Sequence, residues 1–184
     1  MIVLESQSQP AIDTWYRLNV LLRLEAAAES RCAPAETHPR DNIGMKALIA
    51  TDGSSHSLRA ARFLIAWMKQ CGTIEVHVVN VQPRAPYIGL LPAERRADIE
   101  RLIQQRGTEE SAAVCEMLSA AGVPYSLHVV SDDAAEAIAR CAREQQCELI
   151  VMGTRGMGAV AGLALGSVAT KVLHLAVVPV TLVK

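Results

Sequence analysis

The sequence has little of several features that mark common functional classes. Its 184 residues carry a formal net charge of −1, so no general excess of positive charge is available for nucleic-acid backbones, and we expect no nucleic-acid partner. No apolar run reaches the roughly 18 to 20 residues that a membrane-spanning helix needs, and acidic Glu5 follows Met1 in place of a basic signal-peptide start. The sequence therefore predicts a cytoplasmic protein without a membrane span.

The five cysteines and five histidines lack the spacing of a metal or catalytic site. No C-x-x-C pair and no His/Cys cluster at metal-ligand spacing occurs, which favours reduced, structural thiols. No histidine stands in a pattern with an aspartate and a nucleophile, and His77 and His128 lie in predicted strands, where a half-buried structural histidine is common. We therefore predict no catalytic and no metal-ligating residues.

Two well-known phosphate-binding motifs are also missing. The sequence has no G-x-x-x-x-G-K-[ST] run, and no G-x-G-x-x-G follows the first predicted strand. The Ser-Gly-Gly loop of the pyrophosphatase type is missing where Thr51-Asp52-Gly53-Ser54 stands. A standard P-loop enzyme is therefore not expected.

From Met45 onward, short apolar runs alternate with amphipathic stretches. The runs predict strands at 46–50, 75–81, 125–130, 149–152 and 178–183, with helices between them. Strands separated by helices pair in parallel through right-handed crossovers. The sequence thus predicts an α/β fold with an open five-stranded parallel sheet, strand order 3-2-1-4-5, and helices on both faces.

Residues 1–44 differ in character from the rest. Polar, proline-bearing stretches at 6–10 and 30–41 lack the period of a strand or a helix. Between them, Trp15, Leu18 and Leu22 fall near one helical face and predict a short amphipathic helix. We interpret residues 1–44 as a partly disordered N-terminal extension and residues 45–184 as the folded domain. Whether Met1 or Met45 is the natural start stays open.

A glycine-rich segment follows the fourth predicted strand. Glycine allows backbone N–H groups to approach an anion closely. Ser167 either caps the final helix or donates its hydroxyl to a phosphate, and Arg155 supplies a cation. In an open parallel sheet, this segment and Asp52 would face one crevice at the carboxyl ends of neighbouring strands. Tight turns for packing remain the alternative explanation of the glycines, which are Gly153, Gly156, Gly158, Gly162 and Gly166.

These residues resemble the universal stress protein family over residues 45–184. Asp52-Gly53-Ser54 resembles the family's Asp-Gly-Ser after the first strand. Gly153-x-x-Gly156, nine residues, then Gly166-Ser167 is similar to the spacing in the ATP-binding branch of the family. The resemblance implies a Rossmann-like fold of the adenine nucleotide alpha hydrolase type and a regulatory role in a stress response.

The resemblance also implies roles for individual positions. Asp52 would lie near the ribose and adenine, the backbone of Val81 would meet the adenine edge, and Gly153 would border the ribose. The implied ligand is ATP, or else ADP or AMP, together with Mg²⁺ or Mn²⁺. The residues that would approach its phosphates are Gly156, Gly166 and Ser167, with Arg155 and Gly158 as neighbours.

Three hypotheses about the function follow from these observations. The first is a nucleotide-binding regulatory protein, in which ATP changes the conformation or the oligomeric contacts. It is not expected to be an enzyme, because no base or nucleophile is evident, although slow ATP hydrolysis stays open. The alternative is a non-nucleotide-binding interaction protein of the same family. An adenylating or redox enzyme built on a similar sheet is a third, weaker hypothesis.

The last predicted strand suggests how the protein assembles. Residues 178–183 are apolar on both faces and would lie at the sheet edge, where unpaired backbone groups invite another strand. The family resemblance points the same way. We therefore expect a homodimer formed through this strand.

Overall fold

The computed structural model describes residues 2–4, 45–71, 74–156 and 165–184. The amphipathic helix expected near Trp15 lies outside these residues, as does most of the proposed extension. The described elements in chain order are β1 (Ile2–Leu4), β2 (Met45–Ala50), α1 (Ser55–Cys71), β3 (Ile74–Gln82), a 3₁₀ turn (Ile88–Leu90), α2 (Ala93–Ala120), β4 (Tyr125–Ser131), α3 (Ala134–Glu144), β5 (Leu149–Gly153), α4 (Ser167–Leu175) and β6 (Val180–Val183).

The strands form one sheet in the order β4-β3-β2-β5-β6-β1. All four pairs from β4 across to β6 are parallel. Counted from β2, the five strands have the order 3-2-1-4-5, which confirms the prediction. Helices α1 and α2 pack on one face of the sheet, and α3 and α4 pack on the other.

The last strand does not lie at the edge of the described sheet, where the sequence predicts it. Strand β6 begins at Val180, two residues later than predicted, and β1 lies beside it in the sheet. Leu182 and Val183 are buried. Since β6 is not the outermost strand of the described sheet, the argument for an open edge at 178–183 is wrong. A homodimer stays a prediction without that argument.

The central strand β2 explains why the sheet needs helices on both faces. Four consecutive residues, Ala47 to Ala50, are buried, as expected for a strand covered on both sides. On the α3 and α4 side, Leu48, Val79 and Ile150 pack together in the larger apolar cluster. This continuous core fixes β2, β3 and β5 side by side, so their carboxyl ends meet at one edge.

Side-chain caps determine where two helices begin. Asp133 precedes α3, and its Oδ1 accepts hydrogen bonds from the backbone N–H groups of Ala135 at 3.1 Å and Glu136 at 3.2 Å. Before α1, the Ser54 hydroxyl accepts from the backbone N–H of Ser57 at 3.3 Å. Such caps satisfy N–H groups that have no partner inside the helix. Both helices begin directly after these caps. None of the helices in the described ranges is long and apolar enough to cross a membrane.

Gly107 lets α2 lie close to β4. A Cβ atom at this position would overlap Cγ1 of Val129 and would lie 3.0 Å from Oδ1 of Asn80. Because neither neighbour is the flexible end of a long side chain, we expect the backbone of the helix to move when the Cβ is added.

We predict that Gly107→Ala destabilises the protein by about 1 kcal/mol. Overpacking costs about 1 to 3 kcal/mol, and the better helix propensity of alanine offsets about 1 kcal/mol of that loss. Urea unfolding measures the difference. In a Val129→Ala background, which removes the overlapping methyl group, Gly107→Ala should cost nothing further. An equal loss in both backgrounds would contradict this account of the packing.

Candidate functional site

A cavity of about 520 Å³ lies at the carboxyl ends of the parallel strands. This volume falls within the range of roughly 300 to 1,000 Å³ that is common for small-molecule sites. The eighth predicted binding residue, Gly158, lies outside the described residues. The other seven line the cavity together: Asp52, Val81, Gly153, Arg155, Gly156, Gly166 and Ser167.

The turn after β2 holds Asp52 in the cavity wall. Gly53 has a φ of +77°, which favours glycine. The backbone N–H of Ser54 donates to Asp52 Oδ1 at 3.0 Å, and the N–H of Gly53 donates to Thr51 Oγ1 at 3.2 Å. Thr51 is tied to β3, since its N–H donates to the Val79 carbonyl at 2.9 Å. We refer to residues 51–54 as the Asp52 turn.

The start of the glycine-rich segment packs against this turn and against α1. A Cβ atom on Gly156 would lie 2.5 Å from Asp52 Oδ2. A Cβ atom on Gly153 would lie 2.6 Å from Cβ of His56 and 2.9 Å from its backbone carbonyl carbon. The contacts with His56 already require glycine at 153, so packing explains that glycine whatever the ligand. At 156 the obstructing atom is a side-chain oxygen, so a larger residue would have to displace the Asp52 carboxylate.

Gly166 differs from Gly153 and Gly156 in its contacts. Its φ of −75° and ψ of 157° are open to any residue. Among the described residues, an added Cβ would meet the Thr154 carbonyl oxygen at 3.4 Å and Arg155 Cα at 3.5 Å, which are ordinary contact distances. The backbone N–H of Gly166 donates to the Thr154 carbonyl at 2.8 Å, and this bond closes the segment on itself. Neither conformation nor described packing demands a glycine here.

The N-terminus of α4 opens into the cavity. Gly166 stands at the N-cap position, where it offers no side chain to the first turn, and Ser167 is the first helical residue. The suggestion that Ser167 caps this helix is therefore wrong. Ser167, Val168 and Ala169 all line the cavity. A helix start without a side-chain cap presents backbone N–H groups and a partial positive charge, which together attract anions.

A further part of the cavity lining is apolar. Val79, Val81, Ile138 and Met152 line it. Sequence reasoning did not single out Ile138 or Met152, although their places on the buried faces of α3 and β5 followed from periodicity. Periodicity identifies a buried face but does not separate a core residue from one that borders a cavity. The site thus combines an apolar wall with an anion-attracting helix end.

Two basic side chains beside the cavity, Arg155 and His56, differ in their charge. Arg155 lines the cavity. Burial lowers the pKa of the nearby His56, the cations Arg59 and Arg155 lower it further, and only Asp52 among these neighbours opposes the shift. His56 is therefore mostly neutral at pH 7, and it adds no full positive charge to the cation of Arg155.

Asp132 joins the end of β4 to α3 next to the cavity. Its carboxylate accepts from Arg140 at 2.7 Å and also pairs with Arg84. Hydrogen bonds from Arg140, from the backbone N–H of Asp133 and from Arg84 lower the pKa of Asp132 to about 2. The ordinary value is about 3.8.

We predict a pH-dependent loss of stability for Asp132→Asn. Because the pKa of Asp132 is lower in the folded than in the unfolded chain, its contribution is present above about pH 4 and is lost as the pH falls toward about 2. Urea midpoints of the variant and the unaltered protein should differ at pH 7 and converge at pH 2. Asp98→Asn, in the exposed Asp98–Arg101 pair of α2, is the matched control. If the difference in urea midpoint between Asp132→Asn and the unaltered protein does not change with pH, that would contradict a lowered pKa of Asp132 in the folded chain.

Comparisons with known proteins agree with the fold. The chain matches the family model of the Universal stress protein family over residues 45–184. It is 35% identical over 145 residues to the universal stress protein MJ0531 of Methanocaldococcus jannaschii, an alignment that covers 78% of this chain and 84% of that protein.

Two solved structures share the fold. The structure of protein MJ0577 has a TM-score of 0.66 and 21% identity, and the match covers 76% of this chain and 96% of that one. A universal stress protein in complex with cAMP has a TM-score of 0.51 and 21% identity, covering 76% and 95% of the two chains.

Proposed function

The chain belongs to the universal stress protein family, and we propose that it binds ATP, or else ADP or AMP, in the cavity at the carboxyl ends of its strands. The binding domain comprises residues 45–184. Nucleotide binding changes its conformation or its contacts in a homodimer, and the protein acts as a regulator in the cytoplasm rather than as an enzyme.

The observation that carries this proposal is Gly166. Nothing in its backbone conformation or its described contacts requires glycine. It stands at the start of α4, in the wall of the cavity, where the helix end attracts anions. A phosphate that approaches the backbone closely explains the missing side chain.

The shape of the cavity supports an adenine nucleotide. Val79, Val81, Ile138 and Met152 offer an apolar wall to a flat base, and hydrogen bonding at the backbone of Val81 meets the adenine edge. Asp52 accepts from the ribose hydroxyls, and Gly153 borders the ribose. The phosphates then reach Gly156, Gly166 and Ser167, with Arg155 and Gly158 close by. A universal stress protein of the same fold binds cAMP, which is also an adenine nucleotide.

Mg²⁺ or Mn²⁺ fits this arrangement as a companion of the phosphates. No group of three or more His, Cys, Asp and Glu side chains within the described ranges is placed to hold a metal ion. Mg²⁺ commonly needs only one or two carboxylates in addition to phosphate oxygens and water. Asp52 is the carboxylate among the cavity-lining residues. The cation would supply positive charge that offsets the phosphates.

Binding without catalysis is the simpler function for this site. The ionisable side chains lining the cavity are Asp52 and Arg155, and Asp52 already accepts the N–H of Ser54. Phosphoryl transfer needs a positioned nucleophile together with its metal. Slow hydrolysis would be compatible with the site, but the proposed regulation does not depend on it.

We predict that Gly166→Ala weakens ATP binding without destabilising the fold. The added methyl group fits the described neighbours but occupies the path of the phosphates, so we expect the dissociation constant for Mg²⁺-ATP to rise about tenfold or more, or about 1.4 kcal/mol. Calorimetric titration measures the affinity, and urea unfolding measures the stability.

Gly89→Ala is the matched control, because a Cβ atom there meets nothing within 4 Å and Gly89 is not among the residues that line the cavity. Unchanged ATP affinity in Gly166→Ala would favour a structural role for the glycine. If the unaltered protein shows no ATP binding at millimolar nucleotide, the non-nucleotide-binding interaction protein becomes the better account.

A further inference from the structure

A buried polar network lies on the face of the sheet opposite to the cavity. Successive residues of a strand point to opposite faces. Val79 and Val81 of β3 line the cavity, whereas Asn80 and Gln82 face α2. Both amides donate to Oε2 of Glu110, Asn80 at 3.2 Å and Gln82 at 2.7 Å.

The same network reaches the Asp52 turn. The side-chain amide of Asn80 also donates to the backbone carbonyl of Thr51 at 3.1 Å, and Asn80 is fully buried. A Cβ atom on Gly53 would lie 3.0 Å from the backbone carbonyl oxygen of Glu110, so α2 lies directly against the turn. The Asp52 turn is thus supported by β3 and by α2 on the side away from the cavity.

Glu110 completes the hydrogen bonding of this network. Burial raises the pKa of Glu110, but hydrogen bonds from Arg106, Asn80 and Gln82 outweigh it and lower the pKa overall. The carboxylate therefore stays ionised and is a strong acceptor. It fixes the orientation of the Asn80 amide, since one amide hydrogen goes to Glu110 and the other to Thr51.

Packing alone does not explain the choice of residues. Further along α2, Val114 and Leu118 are completely buried and hold the helix to the sheet by apolar contact. Burying an amide or a carboxylate is unfavourable unless every group finds a partner. The polar residues stand beside the Asp52 turn, where the Thr51 carbonyl requires a donor.

We propose that Glu110 is a positioning residue of the nucleotide site, which orients Asn80 and, through the Thr51 carbonyl, fixes Asp52 for contact with the nucleotide. The inference rests on the proposed function. Glu110 acts from the far side of the sheet and does not touch the ligand.

Four variants test this proposal by calorimetric titration with Mg²⁺-ATP. Glu110→Ala removes the acceptor and should raise the dissociation constant about tenfold, as is common when a residue that orients a ligand-binding group is lost. Glu110→Gln keeps one acceptor oxygen for the amides and should restore most of the affinity.

Glu109→Ala, which removes the exposed neighbouring carboxylate paired with Gln105, should leave the affinity unchanged. Gln82→Met keeps the volume but removes the amide that donates both to Glu110 and to Oδ1 of Asn80, and should raise the dissociation constant about threefold.

Urea unfolding of each variant separates stability from affinity. A merely structural role predicts that Glu110→Ala is less stable but binds ATP with the affinity of the unaltered protein while folded, and that result would overturn the proposal. If Glu110→Ala does not fold, unchanged affinity in Gln82→Met overturns it instead. Absence of ATP binding in the unaltered protein would overturn the proposed function and this inference together.

Discussion

The close contact between the Asp52 carboxylate and the backbone at Gly156 is the constraint on which the site depends. It exists because β2 and β5 are parallel neighbours, with Ala50 opposite Met152, so the segments that follow them leave the sheet at the same edge. A side chain at 156 would displace the Asp52 carboxylate from this position. The Gly166 to Thr154 hydrogen bond then brings the start of α4 to the same place.

The glycines of the segment have separate physical causes. Gly153 gives room to α1, and Gly156 gives room to Asp52, so both are explained by contacts within the chain. Gly166 has no such contact with the described residues, which makes it the residue that distinguishes a ligand-binding loop from a tightly packed one. The Asn80–Glu110 network supports the Asp52 turn from the opposite face of the sheet, through the Thr51 carbonyl.

Much of this arrangement could be predicted from the sequence, because hydrophobic periodicity reports burial. The strand after Met45 and the strand order followed from local patterns, and the seven described residues that were predicted to bind the nucleotide line one cavity. Strand β1 could not be predicted, since three apolar residues carry no period. Nor could the Glu110 network, because its hydrogen bonds join residues 28 and 30 positions apart, and no pattern links them. The suggestion that Ser167 caps α4 was wrong by one residue, because Gly166 stands at the N-cap position and Ser167 is the first helical residue.

A crystal structure of the protein grown with Mg²⁺ and ATP tests the central claim most directly. The account predicts the adenine ring against Val79 and Val81, the ribose beside Asp52, and the phosphates within hydrogen-bonding distance of the backbone at Gly166 and Ser167. An empty cavity at saturating ATP, or a nucleotide whose phosphates lie away from the start of α4, would contradict it.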